Sequence, residues 1–106
     1  MSKYLVQANY VSEGVKGLLK EGGSSRRAAV EKLFGSVGVK VEVFYYAFGD
    51  TDVFIIADMP DNVTAAALSL TVNASGAVTS KVTVLLTAEE IDAAVKKTPS
   101  YRAPGQ

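Results

Sequence analysis

The apolar run from Val53 to Ala57 restricts the fold of this chain more than any other stretch. Its sequence, VFIIA, shows no alternation between apolar and polar positions, so the strand that it predicts has no face suited to water. A strand of this kind lies inside a sheet that is covered on both sides. The turn residues Gly49-Asp50-Thr51 come shortly before the run, and they predict a β-hairpin whose second arm is this strand. For Gly49 we expect a positive φ.

The first arm of the hairpin has the pattern of an edge strand. Valine alternates with a charged residue along Val39–Val43, as expected of a strand that is half exposed to water. The alternation places the aromatic residues that follow, Phe44, Tyr46 and Phe48, on the face opposite the valines.

The rest of the chain predicts two further strands and four helices. Alternating residues predict strands over Tyr4–Tyr10 and Val78–Leu86. Helical spacing and capping residues predict the helices: one after Ser12 that buries Val15, Leu18 and Leu19, one after Ser24 or Ser25, one after Asp61 that packs tightly through Ala66, Ala67 and Leu70, and one after the capping box Thr87–Glu90.

This element order, βα(α)ββαβ with a C-terminal helix, predicts a ferredoxin-like α+β domain over residues 1–97, followed by a tail over residues 98–106. Two crossover helices cover only one face of such a four-stranded antiparallel sheet. Because Val53–Ala57 is apolar on both faces, we expect a second copy of the chain to cover the other face, which gives a homodimer or a higher homo-oligomer of the dimeric α+β barrel type.

Composition excludes several function classes. The chain contains no cysteine and no histidine, so the usual haem and transition-metal ligand sets are missing, and we expect no metal and no cofactor. The formal net charge is +0, which argues against nucleic acid as a partner. No run approaches the length of a membrane span, and the sequence carries no apolar leader, so we predict a cytoplasmic protein without a membrane partner.

Several segments together are similar to one known family. The chain resembles the GYD domain family over roughly residues 4–95, in the segments YLVQANY (4–10), EGVKGLL (13–19), RRAAVEKL (26–33), YYAFGDTD (45–52) and Asp61-Asn62 before the alanine-rich helix. Gly49 and Asp52 fall on the motif that names the family, and Thr51 stands where the family has tyrosine. The resemblance implies a ferredoxin-like domain of the dimeric α+β barrel type in a family of small bacterial proteins, and it leaves the activity open.

Polar residues on the strands and at the hairpin turn are the candidates for a ligand site. Amides, phenols and charged groups between two facing apolar sheets would suit a small organic molecule; they could also simply satisfy one another at a subunit interface. The candidate ligand-binding residues are Gln7, Asn9, Tyr45 or Tyr46, Asp50, Asp52, Lys81 and Thr83.

A second, weaker candidate is an anion site at the start of the second helix, formed by Ser24, Ser25, Arg26 and Arg27. The sequence does not decide whether the protein is an enzyme. We predict a homo-oligomeric module that binds or senses a small molecule; the alternative is a cofactor-independent enzyme of the monooxygenase or isomerase type, by analogy of fold alone.

Overall fold

The computed structural model describes residues 1–106 and contains four strands and four helices. The strands are β1 (Ser2–Tyr10), β2 (Lys40–Tyr46), β3 (Val53–Met59) and β4 (Val78–Leu85). The helices are α1 (Ser12–Glu21), α2 (Gly23–Gly35), α3 (Asn62–Ala74) and α4 (Ala88–Lys96). The predicted element order is confirmed.

The strands form one antiparallel sheet in the order β2-β3-β1-β4. The doubly apolar strand β3 lies inside the sheet, paired with β1 on one side and β2 on the other. Strand β2 lies at an edge, as its alternating pattern indicates. This strand order, with the helices α2 and α3 packed against the sheet, is the ferredoxin-like arrangement that the sequence predicts.

Burial divides the sheet into two different faces. Along β3 the odd-numbered residues from Val53 to Met59 are buried and the even-numbered ones are half-buried. The buried set packs with Tyr4 and Val6 of β1, with Phe34 of α2, and with Ala65 and Leu68 of α3. This helix-covered face therefore holds the core. No helix covers the other face, which carries Phe54 and Ile56; we call it the open face.

A bulge in β2 overturns the predicted placement of its aromatic residues. Val41 pairs with Ala57 and Phe44 pairs with Ile55, and the register shifts between Val41 and Val43. Because a bulge puts one extra residue into a strand, the alternation changes phase there. Phe44 therefore lies on the helix-covered face with Val41, and Tyr46 follows it. The prediction that Phe44, Tyr46 and Phe48 lie on the face opposite the valines is therefore wrong. Phe44 and Tyr46 share a face with Val41 and lie opposite Val43 only, and Phe48 follows the end of β2 and is exposed.

The helices bury less than the sequence suggests. The prediction that the first helix buries Val15, Leu18 and Leu19 is wrong. Helix α1 contains no buried residue, and Leu19 is 81% exposed. Helix α3 does not pack through Ala66, Ala67 and Leu70, which are exposed. It packs through Ala65 and Leu68, because residues three and four apart share a helix face.

Two glycines fix the path of the chain around α1. Gly22 joins α1 to α2 with a φ of 83°, a conformation that glycine adopts without steric cost. A Cβ at Gly14 would lie 2.2 Å from the carbonyl oxygen of Ala77, so glycine there allows α1 to approach the start of β4.

Gly49 in the hairpin has no positive φ, so the turn conformation predicted for it is wrong. The loop from Ala47 to Asp52 closes instead through a hydrogen bond from the Ala47 backbone N–H to the Asp52 carbonyl oxygen (2.8 Å).

The C-terminal segment extends away from the core. Helix α4 begins with the predicted capping box of Thr87 and Glu90, yet it buries no residue. The protein measures 57 × 32 × 23 Å, and its radius of gyration is 17.0 Å, whereas a compact domain of this length has about 13 Å. The tail after Thr98 forms neither helix nor strand. None of the four helices combines the length and the apolar character that crossing a membrane demands.

Candidate functional site

The open face brings together most of the residues predicted to bind a ligand. Gln7 lies between Phe54 and Lys81 in the sheet, and Thr83 pairs with Leu5. Cross-strand partners project to the same side of a sheet. Five of the candidates therefore share this face: Gln7, Asn9, Tyr45, Lys81 and Thr83. Between the two alternatives at the hairpin, the structure places Tyr45 here, where it is 69% exposed.

The remaining candidates occupy other positions. Tyr46 lies on the helix-covered face, paired with Val53, and its hydroxyl donates to the carbonyl oxygen of Gly23 at 2.8 Å. Asp50 is exposed in the hairpin turn. Asp52 connects the hairpin to β1: its backbone N–H donates to Asn9 Oδ1 at 2.9 Å, and its Oδ2 accepts from the backbone N–H of Tyr10 at 3.0 Å. Asn9 and Asp52 thus have structural partners already.

One end of the open face carries a small charge network. The ammonium group of Lys3 donates to Asp58 at 3.0 Å and also to Glu42. The hydrogen bonds that Lys3 donates, first to Glu42 and second to Asp58, raise the pKa of Lys3 above its ordinary value. All three side chains are at least partly exposed, so the network contributes little to the stability of the fold.

The structure separates the four residues predicted as an anion site. Ser24, Ser25 and Arg27 are exposed, and Arg27 pairs with Glu31 one turn along α2 at 3.2 Å. Arg26 instead lies toward the sheet, and its Nη1 is 3.4 Å from Glu21 across the α1–α2 junction. It is the one member of the group that lines the cavity between the sheet, α2 and α3.

That cavity was not predicted from the sequence. It has a volume of about 400 Å³ and lies on the helix-covered face, between the sheet, α2 and α3. Of its 21 lining residues, 16 are hydrophobic. We call it the helix-side cavity. Helix α2 packs mainly on β2 and α3 mainly on β4, so the strip of sheet under the gap between them forms the floor, which includes Val6 and Ile55.

Small side chains explain why this space is not filled. Ala8, Ala29, Ser69 and Ser80 line the cavity and come from β1, α2, α3 and β4 respectively. Ala8, Ser69 and Ser80 are half-buried and Ala29 is exposed at the rim, and their short side chains do not reach across the space between the helices and the sheet. The clustering of small residues from four elements is the signal that could have indicated the cavity.

Most polar groups in the cavity wall are already hydrogen-bonded within the chain. The hydroxyl groups of Thr71 and Ser75 donate to backbone carbonyl groups of α3 at 2.8 and 2.7 Å. The hydroxyl group of Ser80 donates to Asn73 Oδ1 at 3.1 Å. Arg26 is the only charged residue among those that line the cavity. A guanidinium group has five N–H donors, and a single contact with Glu21 leaves most of them free.

Two tyrosines stand near Arg26 at the end of the sheet where β1 and β2 finish. Tyr10 lines the cavity, and Tyr46 lies beside it, with its ring 5.3 Å from that of Phe44 in an edge-to-face arrangement. Burial, with the Tyr10 phenol as a second cause, raises the pKa of Tyr46, and Arg26 and Arg27 act in the opposite direction. The Tyr46 hydroxyl already donates to Gly23, so of the two phenols Tyr10 is the one that lines the cavity and can offer a hydrogen bond to a ligand.

No three acidic side chains converge to form a metal site. None of the side-chain hydrogen bonds joins a nucleophile to a basic side chain in the manner of a catalytic dyad.

The sheet order and the helices on one face define the protein as a ferredoxin-like α+β domain. Within this class the chain belongs to the GYD domain family, whose model matches residues 4–95. The match takes in nearly all of β1 and extends to the last turn of α4, which confirms the resemblance seen in the sequence. Searches of curated proteins and of solved structures gave no match to this chain.

Proposed function

We propose that this protein is a small-molecule binding module and that its ligand occupies the helix-side cavity. The observation that carries the proposal is the cavity itself. Its volume, about 400 Å³, falls in the range of about 300–1,000 Å³ typical of ligand pockets. Its wall combines many apolar side chains with few polar groups, the composition that ligand pockets usually have.

The helix-side cavity is open to solvent at its rim, where Ala29, Thr71 and Ser75 of its wall are exposed. A ligand can therefore enter without unfolding of the chain. Contact of an apolar ligand with the largely apolar wall removes apolar surface from water, at about 25 cal/mol per Å², which gives the binding its driving force.

Thermal unfolding with a neutral apolar probe tests the proposal. N-phenyl-1-naphthylamine at about 100 times its Kd should stabilise the protein by about 2.7 kcal/mol, which raises the Tm of a domain this small by on the order of 10 °C. In Ala8→Leu the added side chain enters the cavity, and we expect the shift to fall or vanish. Ala67→Leu makes the same change at an exposed position of α3 outside the cavity wall and is the matched control. Equal shifts in both variants would contradict the proposal.

We also propose that the protein is a homodimer that pairs through the open face. The centre of this face carries Leu5, Phe54 and Ile56, which are only half-buried in the single chain. An isologous pairing needs only one self-complementary surface, and the charge network of Lys3 with Asp58 at one end supplies both signs of charge. A standard interface buries about 800 Å² on each partner, an area that a four-stranded sheet face with its flanking loops can provide.

Helix α4 supports the same assembly. Its apolar side chains Ile91 and Val95 are exposed, and it extends from the core instead of packing on it. A partner subunit would offer α4 an apolar surface, and the elongated shape of the chain would then close into a more compact dimer.

In such a dimer the predicted site lined by Gln7, Asn9, Tyr45, Lys81 and Thr83 would lie between two facing sheets. It remains a second proposal for the ligand position. A cofactor-independent enzyme remains an alternative that depends on fold analogy alone, and no arrangement of side chains favours it.

A further inference from the structure

We infer that the ligand of the helix-side cavity is an amphipathic organic anion, with its apolar part between the helices and the sheet and its anionic group at Arg26. This inference depends on the proposed function, since it specifies the chemistry of the molecule that occupies the same cavity. A carboxylate on a hydrocarbon or aromatic body is the simplest member of the class.

The distribution of polar groups determines which chemistry fits. The hydroxyl groups of Thr71, Ser75 and Ser80 are hydrogen-bonded to other groups of the chain, so they leave the body of the cavity without strong donors for a ligand. Arg26 is the only charged residue in the wall, and Tyr10 lies near it at one end. The cavity is therefore polar at one end and apolar along the rest, which matches a molecule with one charged head.

The ion pair with Glu21 uses only part of the hydrogen-bonding capacity of Arg26. Its contact with Glu21 is a single one, at 3.4 Å between Nη1 and a carboxylate oxygen, and the Glu21 side chain is 45% exposed. Exposed ion pairs of this kind contribute little. A ligand carboxylate can meet the guanidinium group with two parallel hydrogen bonds, a geometry that is both stronger and more specific. Glu21 thus acts as a weak competitor for the same group.

Two fluorescent probes with the same ring system separate the anionic head from the apolar body. N-phenyl-1-naphthylamine is neutral, and 1-anilinonaphthalene-8-sulfonate adds a sulfonate to the same rings. We expect the wild-type protein to bind both. Arg26→Gln should weaken binding of the sulfonate probe by about tenfold, the loss expected for one charge-assisted hydrogen bond, and should leave the Kd of the neutral probe within about twofold.

Further variants locate the effect. Lys32→Gln removes one positive charge from the exposed side of the same helix and should change neither Kd. Glu21→Gln removes the competitor and should tighten binding of the sulfonate probe only. Thermal melts of each variant without probe establish that it is folded, and Glu21→Gln tests the inference even where Arg26→Gln loses stability.

The outcomes distinguish the two proposals. If neither probe binds the wild-type protein, the proposed function fails. If the neutral probe binds but Arg26→Gln leaves the sulfonate probe unaffected, or weakens both probes equally, the cavity stands and the anion inference is overturned. An equal loss of sulfonate binding in Arg27→Gln would also overturn it, because that result would place the anion at the exposed start of α2.

Discussion

Two adjacent isoleucines give the sharpest test of how the sheet is used. Ile55 faces the helices and is 3% exposed, whereas Ile56 faces the opposite side and is half-buried. The substitutions Ile55→Asp and Ile56→Asp introduce the same charge one residue apart, so intrinsic strand propensity and net charge are matched. The two variants should therefore differ only through what covers each face.

Ile55→Asp should act on the stability of the protomer, and Ile56→Asp on the affinity of the dimer. At Ile55 the loss of a buried side chain costs about 2–5 kcal/mol, and placing a carboxylate in the core adds several more. Together these losses approach the whole stability of a small domain, about 5–15 kcal/mol, so Ile55→Asp should be unfolded. At Ile56 the protomer should stay folded, but each protomer brings one carboxylate into the interface. At several kcal/mol for each, the dimer Kd should rise by about 10⁴-fold or more.

Circular dichroism reports the fold, and light scattering after size-exclusion chromatography reports the assembly. We expect a dimeric wild-type protein, a folded monomer for Ile56→Asp and an unfolded chain for Ile55→Asp. A wild-type protein that is monomeric at micromolar concentration would refute the dimer. An Ile56→Asp variant that stays dimeric would show that the open face is not the interface.

Three further predictions concern stability and metal content. Gly14→Ala should lower the free energy of unfolding by about 1–3 kcal/mol, because its Cβ would meet the Ala77 carbonyl. Gly17→Ala is the control: it has open space around it and should be neutral or stabilising. Denaturant titration measures the free energy of unfolding of both variants. Asp61 accepts a hydrogen bond from the Thr64 N–H at the start of α3, which lowers the pKa of Asp61 below its ordinary 3.8. The cap therefore adds its full contribution to the free energy of unfolding above pH 3.8 and loses it as the pH falls through the lowered pKa. The difference in Tm between the wild-type protein and Asp61→Ala should accordingly shrink below about pH 3.8, and a difference that persists at pH 2 would contradict this. Chelator-washed protein should contain no stoichiometric transition metal by elemental analysis, since the chain lacks histidine and cysteine.

Local sequence patterns were sufficient to predict the fold. Val53–Ala57 predicted an interior strand, and β3 is one. Asp61 and Thr87 predicted helix starts, and both side chains accept the capping hydrogen bonds. These features depend on neighbours in the chain, so the sequence shows them directly. The placement of Phe44 and Tyr46 failed because a bulge depends on pairing with another strand, and alternation alone does not reveal it.

The cavity depends on how far apart two helices lie, and no local pattern specifies that distance. Ala8, Ala29 and Ser80 are separated in sequence and become neighbours only in the folded chain. Arg26 and Arg27 show the same limit. The sequence gives no reason to distinguish these two adjacent arginines, but they lie on different sides of α2: Arg26 lines the cavity, and Arg27 pairs with Glu31. The polar residues of the open face were grouped correctly because strand alternation predicts which residues share a face.

The most direct test of ligand binding in the helix-side cavity uses methyl NMR of the isoleucines. The chain has three, Ile55, Ile56 and Ile91; Ile55 lines the cavity, Ile56 lies on the open face and Ile91 lies on α4. Titration with N-phenyl-1-naphthylamine should shift the Ile55 methyl resonance strongly, because the aromatic rings of the probe change the shielding of adjacent groups. The other two resonances should move little. A shift confined to Ile56 would place the ligand between facing sheets and contradict binding in the helix-side cavity, as would a titration that moves none of the three.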